Sequence, residues 1–440
     1  MTAIILDNHR VFVASLFKDA LSNDAQANVY FTFGYHSSWA NDSAPPQANT
    51  SQNQQNEVWH RMIGAKRLTG NDISHVIYRY DWSANTVYTQ YDQTDTTLGN
   101  DNVKFYVVTS DKNVYKCLYN NGGANSTVEP TSVNANNITQ TADGYIWKFM
   151  YNIGTSEQIK FMTPSYIPVK KLTENNGSLQ WLVQENAIDG AIPAIVLTSG
   201  GSNYSNVNNL VVTISGDGTS ATASANINSA SNTVHTITVT NPGIGYTNAT
   251  VSITGGGGSG ATARPLISPP GGHGSNPVYE LNGKNVIINA RLINNENQKF
   301  SVANEFRQIA IIKDPILFNS ETPAGNSAYK QTMDLTVSGV GADYTQDEYV
   351  YQGASLAAAT FIGKVAEYDS TNTAVKLTNI VGTPINDPLI GVESSASKFV
   401  TSIDNPELEI NTGEVLYVDN IKPITRNIDQ TEDFKIVVKF

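Results

Sequence analysis

Hydrophobic and polar residues alternate along most of this chain, and that pattern predicts β-strands. The alternating segments are rich in aromatic and β-branched residues and are bounded by turn residues. They cover residues 28–35, 104–111, 113–120 and 144–153 and, after a glycine-rich stretch, 284–293, 306–316, 333–410 and 413–440. The last six residues are expected to form a strand that ends at Phe440.

Helices are expected to be few. The clearest candidate covers residues 8–21, where Asp7 or Asn8 can act as the N-cap. Its apolar face is approximated by Val11, Leu16, Phe17, Ala20 and Leu21. The segment 36–75 contains a run rich in glutamine and asparagine, so most of it is predicted to be irregular, with a short helix at 55–64.

Residues 194–227 and 236–267 form an internal repeat. The matched pairs are Ile195 and Ile237, Leu197 and Val239, Gly201 and Gly243, Tyr204 and Tyr246, and Ile214 and Ile253, and the sequence ATA recurs at 221–223 and 261–263. Each copy consists of two alternating segments around a Gly-Tyr turn and ends in a glycine-rich corner. We expect the glycines to supply positive φ at turns.

The corner of the second copy, residues 253–263 (ITGGGGSGATA), partly matches two nucleotide-binding patterns. The P-loop requires lysine where Ala261 stands, and alanine cannot place a positive charge on a phosphate. The dinucleotide pattern requires a helix after the glycines, but Pro265, Pro269 and Pro270 follow instead. The sequence therefore favours a structural corner, and no cofactor is predicted.

The amino-acid composition and net charge indicate which kinds of molecule the protein is expected to bind. Of 440 residues only 15% are charged, against ~25% in typical soluble proteins, and Asn, Thr, Ser and Gly take their place. This turn-rich, neutral composition is typical of a β protein with long strands and loops. The formal net charge of −12 disfavours binding to nucleic acid or to an anionic membrane through a basic surface.

Cys117 is the only cysteine, which excludes a disulfide framework and a cysteine-based zinc site. Its alternating surroundings predict a buried strand residue. No run approaches the roughly eighteen apolar residues of a membrane span, and the first residues lack the features of a secretion signal. We therefore expect a protein that is made or assembled in a cytoplasm.

Candidate chemistry is sparse. Six histidines are scattered singly, without a metal-binding or hydrolase motif: His9, His36, His60, His75, His235 and His273. His273 lies in the tight loop PPGGHG, where it could enter a site, but capping a turn is favoured. Carboxylates at Asp143 and in the group Asp429, Glu432 and Asp433 could ligate calcium, but they match no calcium template and are expected to be solvated or to cap turns. No catalytic, cofactor-binding or metal-binding residue is predicted.

Several blocks of sequence resemble one known family. They are VYFTFGYHSSW (29–39), NEVWHRMIG (56–64), ADGYIWKFMYNI (142–153), NEFRQIAIIKDPI (304–316) and TGEVLYVDNIKPITRNIDQTEDFKIVVKF (412–440). Together they resemble the baseplate wedge subunit of T-even-type contractile bacteriophages, the gene product eight family. The resemblance covers about half the chain, in the family's order, and is most specific at the C-terminal block. Residues 191–267 and about 333–405 lie outside it.

The resemblance implies an elongated, mainly β, homodimeric subunit without catalytic residues. Such a subunit packs with other wedge proteins in the tail baseplate of the virion and is assembled in the host cytoplasm. No nucleic acid, membrane or small-molecule substrate is expected as a partner.

The predicted fold class is mainly β and multi-domain, with a β-sandwich-like core, inserted β modules and few short helices. The expected domains are a core β domain with an N-terminal helix (1–190), an inserted two-copy repeat (191–267), a return to the core (268–332), a second inserted β module (333–410) and C-terminal core strands (411–440).

Two other classes of function remain open. A tail-associated adhesin would use the repeats to bind a host-surface glycan and would need exposed aromatic residues, for which Tyr204 and Tyr246 are the obvious candidates. A polysaccharide depolymerase would need a pair of carboxylates at a defined separation, and no pattern in the sequence pairs them.

Overall fold

The computed structural model describes residues 5–23, 27–135, 138–302 and 304–440. The helices in these residues are α1 (Asp7–Ser22), α2 (Gln52–Arg61), α3 (Thr155–Phe161), α4 (Leu179–Glu185) and α5 (Pro277–Glu280). Short 3₁₀ turns cover Gly70–Asp72, Asn121–Gly123, Val207–Asn209 and Leu356–Ala358. Across this described part of the chain, no helix is both long and apolar enough to cross a membrane.

Strands make up most of the regular structure. Before the repeat they are β1 (Val29–Gly34), β2 (Met62–Leu68), β3 (Ile73–Tyr78), β4 (Tyr106–Val108), β5 (Asn113–Tyr119), β6 (Thr139–Gln140), β7 (Ile146–Asn152) and β8 (Tyr166–Val169). The repeat contains β9 (Ala194–Ser202), β10 (Val211–Gly216), β11 (Thr222–Asn228), β12 (Thr233–Asn241), β13 (Ala249–Thr254) and β14 (Ser259–Leu266).

The later strands are β15 (Asn285–Ile293), β16 (Glu305–Lys313), β17 (Ala328–Lys330), β18 (Met333–Ser338), β19 (Tyr349–Gln352), β20 (Phe361–Asp369), β21 (Ala374–Gly382), β22 (Pro388–Gly391), β23 (Ser397–Asp404), β24 (Glu414–Thr425) and β25 (Thr431–Lys439). All of these strands, early and late, together form several separate sheets and a barrel. The predicted class, a mainly β, multi-domain fold with few helices, is confirmed.

The chain folds into two compact units, each built from separated segments. The first comprises Met1–Leu16, Ser74–Ile287 and Val437–Phe440, and the second comprises Phe17–Ile73 and Ile288–Ile436. The first unit contains a sheet with the strand order β4-β5-β7-β6 and the six-stranded sheet of the repeat. The second contains a five-stranded sheet and a closed barrel. The remaining sheet has the order β25-β15-β3-β8.

The five-stranded sheet of the second unit has the order β17-β2-β1-β16-β24. Its middle strand β1 pairs antiparallel with β16 and β2, and all six of its residues are buried. The Phe33 ring lies 4.9 Å from that of Phe300 and 5.2 Å from that of Phe306. On the same face, the Phe31 ring lies 4.8 Å from that of Phe434. These aromatic contacts make β1 the centre of an apolar framework.

Residues 333–404 form the barrel, which closes in the order β18-β21-β20-β19-β22-β23. Its interior is one cluster of buried side chains: Met333, Leu335, Val337, Tyr344, Val350, Phe361, Val365, Val375, Leu377, Leu389, Ala396 and Val400. Closure pairs every strand on both sides, so the barrel has no free sheet edge.

Residues 194–266, which we call the repeat module, form a sheet in which the two copies exchange strands. The order is β12-β11-β10-β13-β14-β9. Strand β9 of the first copy pairs with β14 of the second, and β12 of the second pairs with β11 of the first. The hydroxyl of Tyr204 accepts a hydrogen bond from the backbone N–H of Ala261 (3.4 Å), and that of Tyr246 accepts one from Ala221 (3.3 Å). Each tyrosine therefore closes the corner of the opposite copy.

The matched glycines of the two Gly-Tyr turns and four of the five in the second corner adopt positive φ, as predicted. Gly216 and Gly218, in the corner of the first copy, do not, so the prediction is wrong there. Gly201 and Gly243 occupy equivalent positions, with φ of 63° and 64°. A Cβ at Gly201 would lie 2.4 Å from the carbonyl oxygen of Ser259, and a Cβ at Gly243 would lie 2.6 Å from that of Thr219. Both sites therefore need glycine for its backbone conformation and for close approach of the opposite copy.

Several local predictions need correction. The helix at 8–21 is confirmed as α1, but Leu16 on its predicted apolar face is 53% exposed. Helix α2 begins earlier than predicted because the Ser51 hydroxyl accepts a hydrogen bond from the N–H of Gln54 and caps it. The segment 36–75 also contains β2, which was missed because its apolar residues do not alternate with polar ones.

The strand expected at 104–111 shortens to β4, and the final strand ends at Lys439, one residue before Phe440.

Candidate functional site

Asp143 caps a turn, as expected. Its carboxylate accepts hydrogen bonds from the backbone N–H groups of Thr127 (2.7 Å), Val128 (3.0 Å) and Tyr145 (3.3 Å). Burial raises the pKa of Asp143, but these bonds and one from the Thr141 hydroxyl outweigh it, so the pKa is lowered. The carboxylate is already occupied by donors from its own turn and from residues 127–128.

The acidic residues Asp429, Glu432 and Asp433 near the C-terminus do not form one shared site. Glu432 is buried and pairs with Arg426, whose Nε lies 3.3 Å from its carboxylate. The expectation that Glu432 is solvated or caps a turn is therefore wrong, because a buried ion pair holds it. Asp433 instead accepts a hydrogen bond of 3.3 Å from the side chain of Asn289. The described residues contain no group of three or more His, Cys, Asp or Glu side chains that could hold a metal ion.

The aromatic candidates of the repeat module are buried. Tyr204 is 1% exposed and Tyr246 is 4% exposed. A stacking platform for a sugar needs an accessible ring face. Neither tyrosine provides one in this structure. Cys117 is buried on β5, as predicted.

His273 lies in a loop that glycines shape. Gly271, Gly272 and Gly274 have φ of 83°, 90° and 96°. A Cβ at Gly272 would lie 2.5 Å from the backbone nitrogen of Ile188, so only glycine allows this close packing. The loop buries the His273 side chain within the first unit. The expectation that His273 caps a turn is therefore wrong.

His273 belongs to a buried polar cluster with Lys116 of β5 and Glu280 of α5. The Lys116 Nζ lies 3.2 Å from the His273 Nδ1 and 3.1 Å from the Glu280 Oε2, and the latter two atoms lie 3.6 Å apart. The Tyr91 ring packs against Lys116 and His273. Its centroid lies 4.2 Å from the Lys116 Nζ and 4.7 Å from the centre of the His273 ring. We call these residues, together with Lys148, the polar cluster.

Lys148 of β7 is the cross-strand partner of Lys116 in the β5–β7 register. Cross-strand partners in an antiparallel pair project from the same face of the sheet. Lys148 is buried, and its Nζ donates a hydrogen bond of 2.9 Å to the carbonyl of Ala135. Among the described residues it forms no ion pair, so only Lys116 has a carboxylate partner.

Burial is the largest influence on ionisation in the polar cluster. It lowers the pKa of His273 to about 4, helped by the charge of Lys116, so the imidazole is neutral at neutral pH. Burial also lowers the pKa of Lys148 to about 8, against a weaker attraction to Glu280. It raises the pKa of Glu280, but the charge of Lys116 opposes it most strongly, and the pKa is lowered. Glu280 is therefore ionised.

An apolar cavity of about 410 Å³ adjoins Lys148 and His273. Its walls include Ala187, Ile188, Pro193, Val239 and Pro242. The Nε2 of His273 is buried and has no hydrogen-bond partner within the described ranges. A mostly apolar cavity with a few convergent polar groups is the usual form of a small-molecule site.

Of the polar cluster, sequence reasoning singled out only His273 and missed Lys116, Lys148, Glu280 and Tyr91. One signal was available. Both lysines interrupt aromatic and aliphatic strands, in VYKCLY and IWKFMY, where a buried position is expected. Their partners His273 and Glu280 are more than a hundred residues away along the chain, and no local pattern connects them.

A comparison of the chain with models of known protein families found no match, and a comparison with curated proteins found none either.

Proposed function

We propose that the protein is a structural subunit of a contractile-phage baseplate wedge, as its sequence resemblance implies. The position of four of the five resembling blocks carries the proposal. Residues 29–39, 56–64, 304–316 and 412–440 contain β1, the start of β2, β16 and β24. These strands are consecutive neighbours in the five-stranded sheet, in the order β2-β1-β16-β24. The fifth block, 142–153, contains β7 of another sheet.

This arrangement supports a shared framework because the blocks are far apart in the chain. Each pair of neighbouring strands joins two blocks by antiparallel pairing, for example Phe31 with Ile311 and Ile311 with Tyr417. Four of the blocks, distant in sequence, thus lie side by side in one sheet.

We further propose that residues 191–267 and 333–410 are insertions in this framework. Neither stretch carries a resembling block, and each contains a set of strands that pair with one another. Added modules of this kind would present extra surface to neighbouring subunits without altering the framework.

The proposal is tested by immunogold labelling of purified contractile-tailed virions with antibodies against this protein, together with mass spectrometry of isolated baseplates. We expect label at the baseplate and peptides of the protein in that fraction. Label confined to fibre tips would instead favour the adhesin, and absence from the virion would contradict both.

The implied homodimer is tested separately. Sedimentation of the purified protein should give a mass near twice the 47.6 kDa of one chain. A mass of a single chain at micromolar concentration would contradict a stable dimer.

A further inference from the structure

One of the two lysines of the polar cluster has no carboxylate partner. Lys116 and Lys148 are both buried, and Glu280 is the carboxylate that faces them. Burial lowers the pKa of Lys116 as well as that of Lys148. Glu280 lies 3.1 Å from Lys116, so Lys148 is left without a carboxylate of its own among the described residues. A buried charge without a counter-charge is costly, so folding alone does not explain why Lys148 projects here.

His273 adds a directed hydrogen-bond donor. A lysine ammonium can only donate, and the Lys116 Nζ lies 3.2 Å from the His273 Nδ1. We assign Nδ1 as the acceptor on this geometry, which places the proton of the neutral ring on Nε2. That N–H is buried and has no partner in the part of the chain that the structure describes. It therefore lacks an acceptor.

Both groups border the same cavity. Lys148 and His273 line it together with Ala187, Val239 and Pro242. Its volume of about 410 Å³ lies within the range of small-ligand sites. A buried lysine and a buried histidine thus border a mainly apolar space.

We propose that this cavity binds a small monoanion that has an apolar body and a terminal carboxylate. The carboxylate accepts hydrogen bonds from the Lys148 ammonium and the His273 Nε2–H, and it balances the unpaired lysine. The apolar body packs against Ala187, Val239 and Pro242. This inference does not depend on the proposed wedge function, because it rests on groups inside the first unit alone.

The direct test is calorimetric titration of the full-length protein with hexanoate, using hexanol as the neutral control. We expect saturable binding of hexanoate at micromolar to millimolar concentration and affinity for hexanol at least about tenfold weaker, since only hexanoate brings an anionic acceptor. Equal affinity for the two probes, or no saturable heat with hexanoate, would overturn the proposal.

Variants separate the charge from the apolar walls. Lys148→Met keeps most of the side-chain volume, removes the charge and should weaken hexanoate binding at least about tenfold. Lys104→Met, at an exposed position of the same unit, should leave affinity unchanged. Unaltered affinity in Lys148→Met would overturn the proposal.

A second variant keeps the test decisive if Lys148→Met does not fold. Ala187→Trp fills the cavity from its half-buried wall while retaining both polar groups, and it should also abolish binding. Binding that survives in a folded Ala187→Trp protein would place the ligand elsewhere and overturn the proposal.

The pH dependence of the unmodified protein provides a further readout. The charged groups facing Lys148 are Lys116 and Glu280, with His273 neutral. Because burial lowers the pKa of Lys148 to about 8, hexanoate affinity should fall as the pH rises through that value. Affinity that is constant through this range would contradict a role for the Lys148 charge.

Discussion

The repeat module and the barrel are both six-stranded and antiparallel, but different interactions stabilise them. The barrel surrounds one continuous cluster of buried side chains. The repeat module has two small clusters, one around Tyr246 and one around Tyr204, and every residue of β10 and β13 is exposed or half-buried. Its close packing depends instead on glycines at positive φ and on corners that the opposite copy closes.

The difference shows two ways to complete a small β structure. Closure of the barrel removes the sheet edges and concentrates the apolar side chains inside. The stability of the barrel therefore depends mainly on the volume of its buried side chains. Strand exchange between two copies places each copy's turns against the other, so stability follows backbone conformation at a few glycines. Substitutions should therefore have opposite patterns of effect in the two regions. Because a multi-domain chain need not unfold in two states, the measurements below use hydrogen exchange resolved by mass spectrometry.

The largest effect is expected in the barrel core. Phe361→Ala removes a fully buried ring and should lower the local free energy of unfolding by ~3–5 kcal/mol. Val381→Ala, in the same barrel but 63% exposed, should change it by less than about 0.5 kcal/mol. Faster exchange in β19–β21 for the first variant alone would show that buried volume stabilises the barrel. Similar exchange in both variants would contradict this explanation.

A smaller effect is expected at the glycines of the repeat module. Gly201→Ala and Gly243→Ala should each lower the local free energy of unfolding by ~1–3 kcal/mol. Both positions need positive φ, and a Cβ at either would collide with the backbone of the opposite copy. The matched control is Gly245→Ala, where φ is 76° but no atom lies within 4 Å of the added Cβ. It should cost less. Exchange protection that falls equally in all three variants would rule out the contact between copies as the cause.

The hydroxyl groups of Tyr204 and Tyr246 should contribute less to the stability of the repeat module than its glycines do. Tyr204→Phe and Tyr246→Phe each remove one hydrogen bond and should have equal effects of ~0.5–1 kcal/mol. Tyr344→Phe in the barrel removes a buried bond of 2.8 Å to the carbonyl of Leu389, so its effect should be larger. Unequal effects at Tyr204 and Tyr246 would show that the two copies are not equivalent in energy.

The smallest expected effect is a response to acid in one copy only. Hydrogen bonds from the Thr247 hydroxyl and from the N–H groups of Asn248 and Thr247 lower the pKa of Asp217 to about 2, below its ordinary 3.8. Since the folded pKa is depressed, this contribution is present above about pH 4 and is lost as the pH falls through about 2. The second copy has Gly257 at the matching position.

Protection of the Thr247 and Asn248 amides, relative to their intrinsic exchange rates at each pH, should therefore fall with acid before protection at the Gly256 corner does. Asp217→Asn should remove that difference, because the amide does not titrate in this range. Simultaneous loss of protection at both corners would show that Asp217 has no separate role.

Much of the fold could be predicted from local sequence. The alternation in NVYFTFGY and GYIWKFMYNI predicts β1 and β7, and the spacing of Gly201, Gly243 and the two ATA motifs predicts paired corners. The pairing itself could not be predicted. Nothing in either copy indicates that Tyr204 contacts Ala261 rather than the ATA of its own copy, because both corners have the same chemistry.

The candidate site shows the same limit. A lysine within an aromatic strand indicates a buried charge, and the glycines around His273 indicate a tight loop. The sequence by itself thus determined the strands, the turns and the conformation of individual glycines, because these depend on neighbouring residues. Only the tertiary structure decided that Lys116, Lys148, His273 and Glu280 meet beside one cavity. Such contacts join distant segments, and their free energy depends on burial and charge that exist only after the chain has folded.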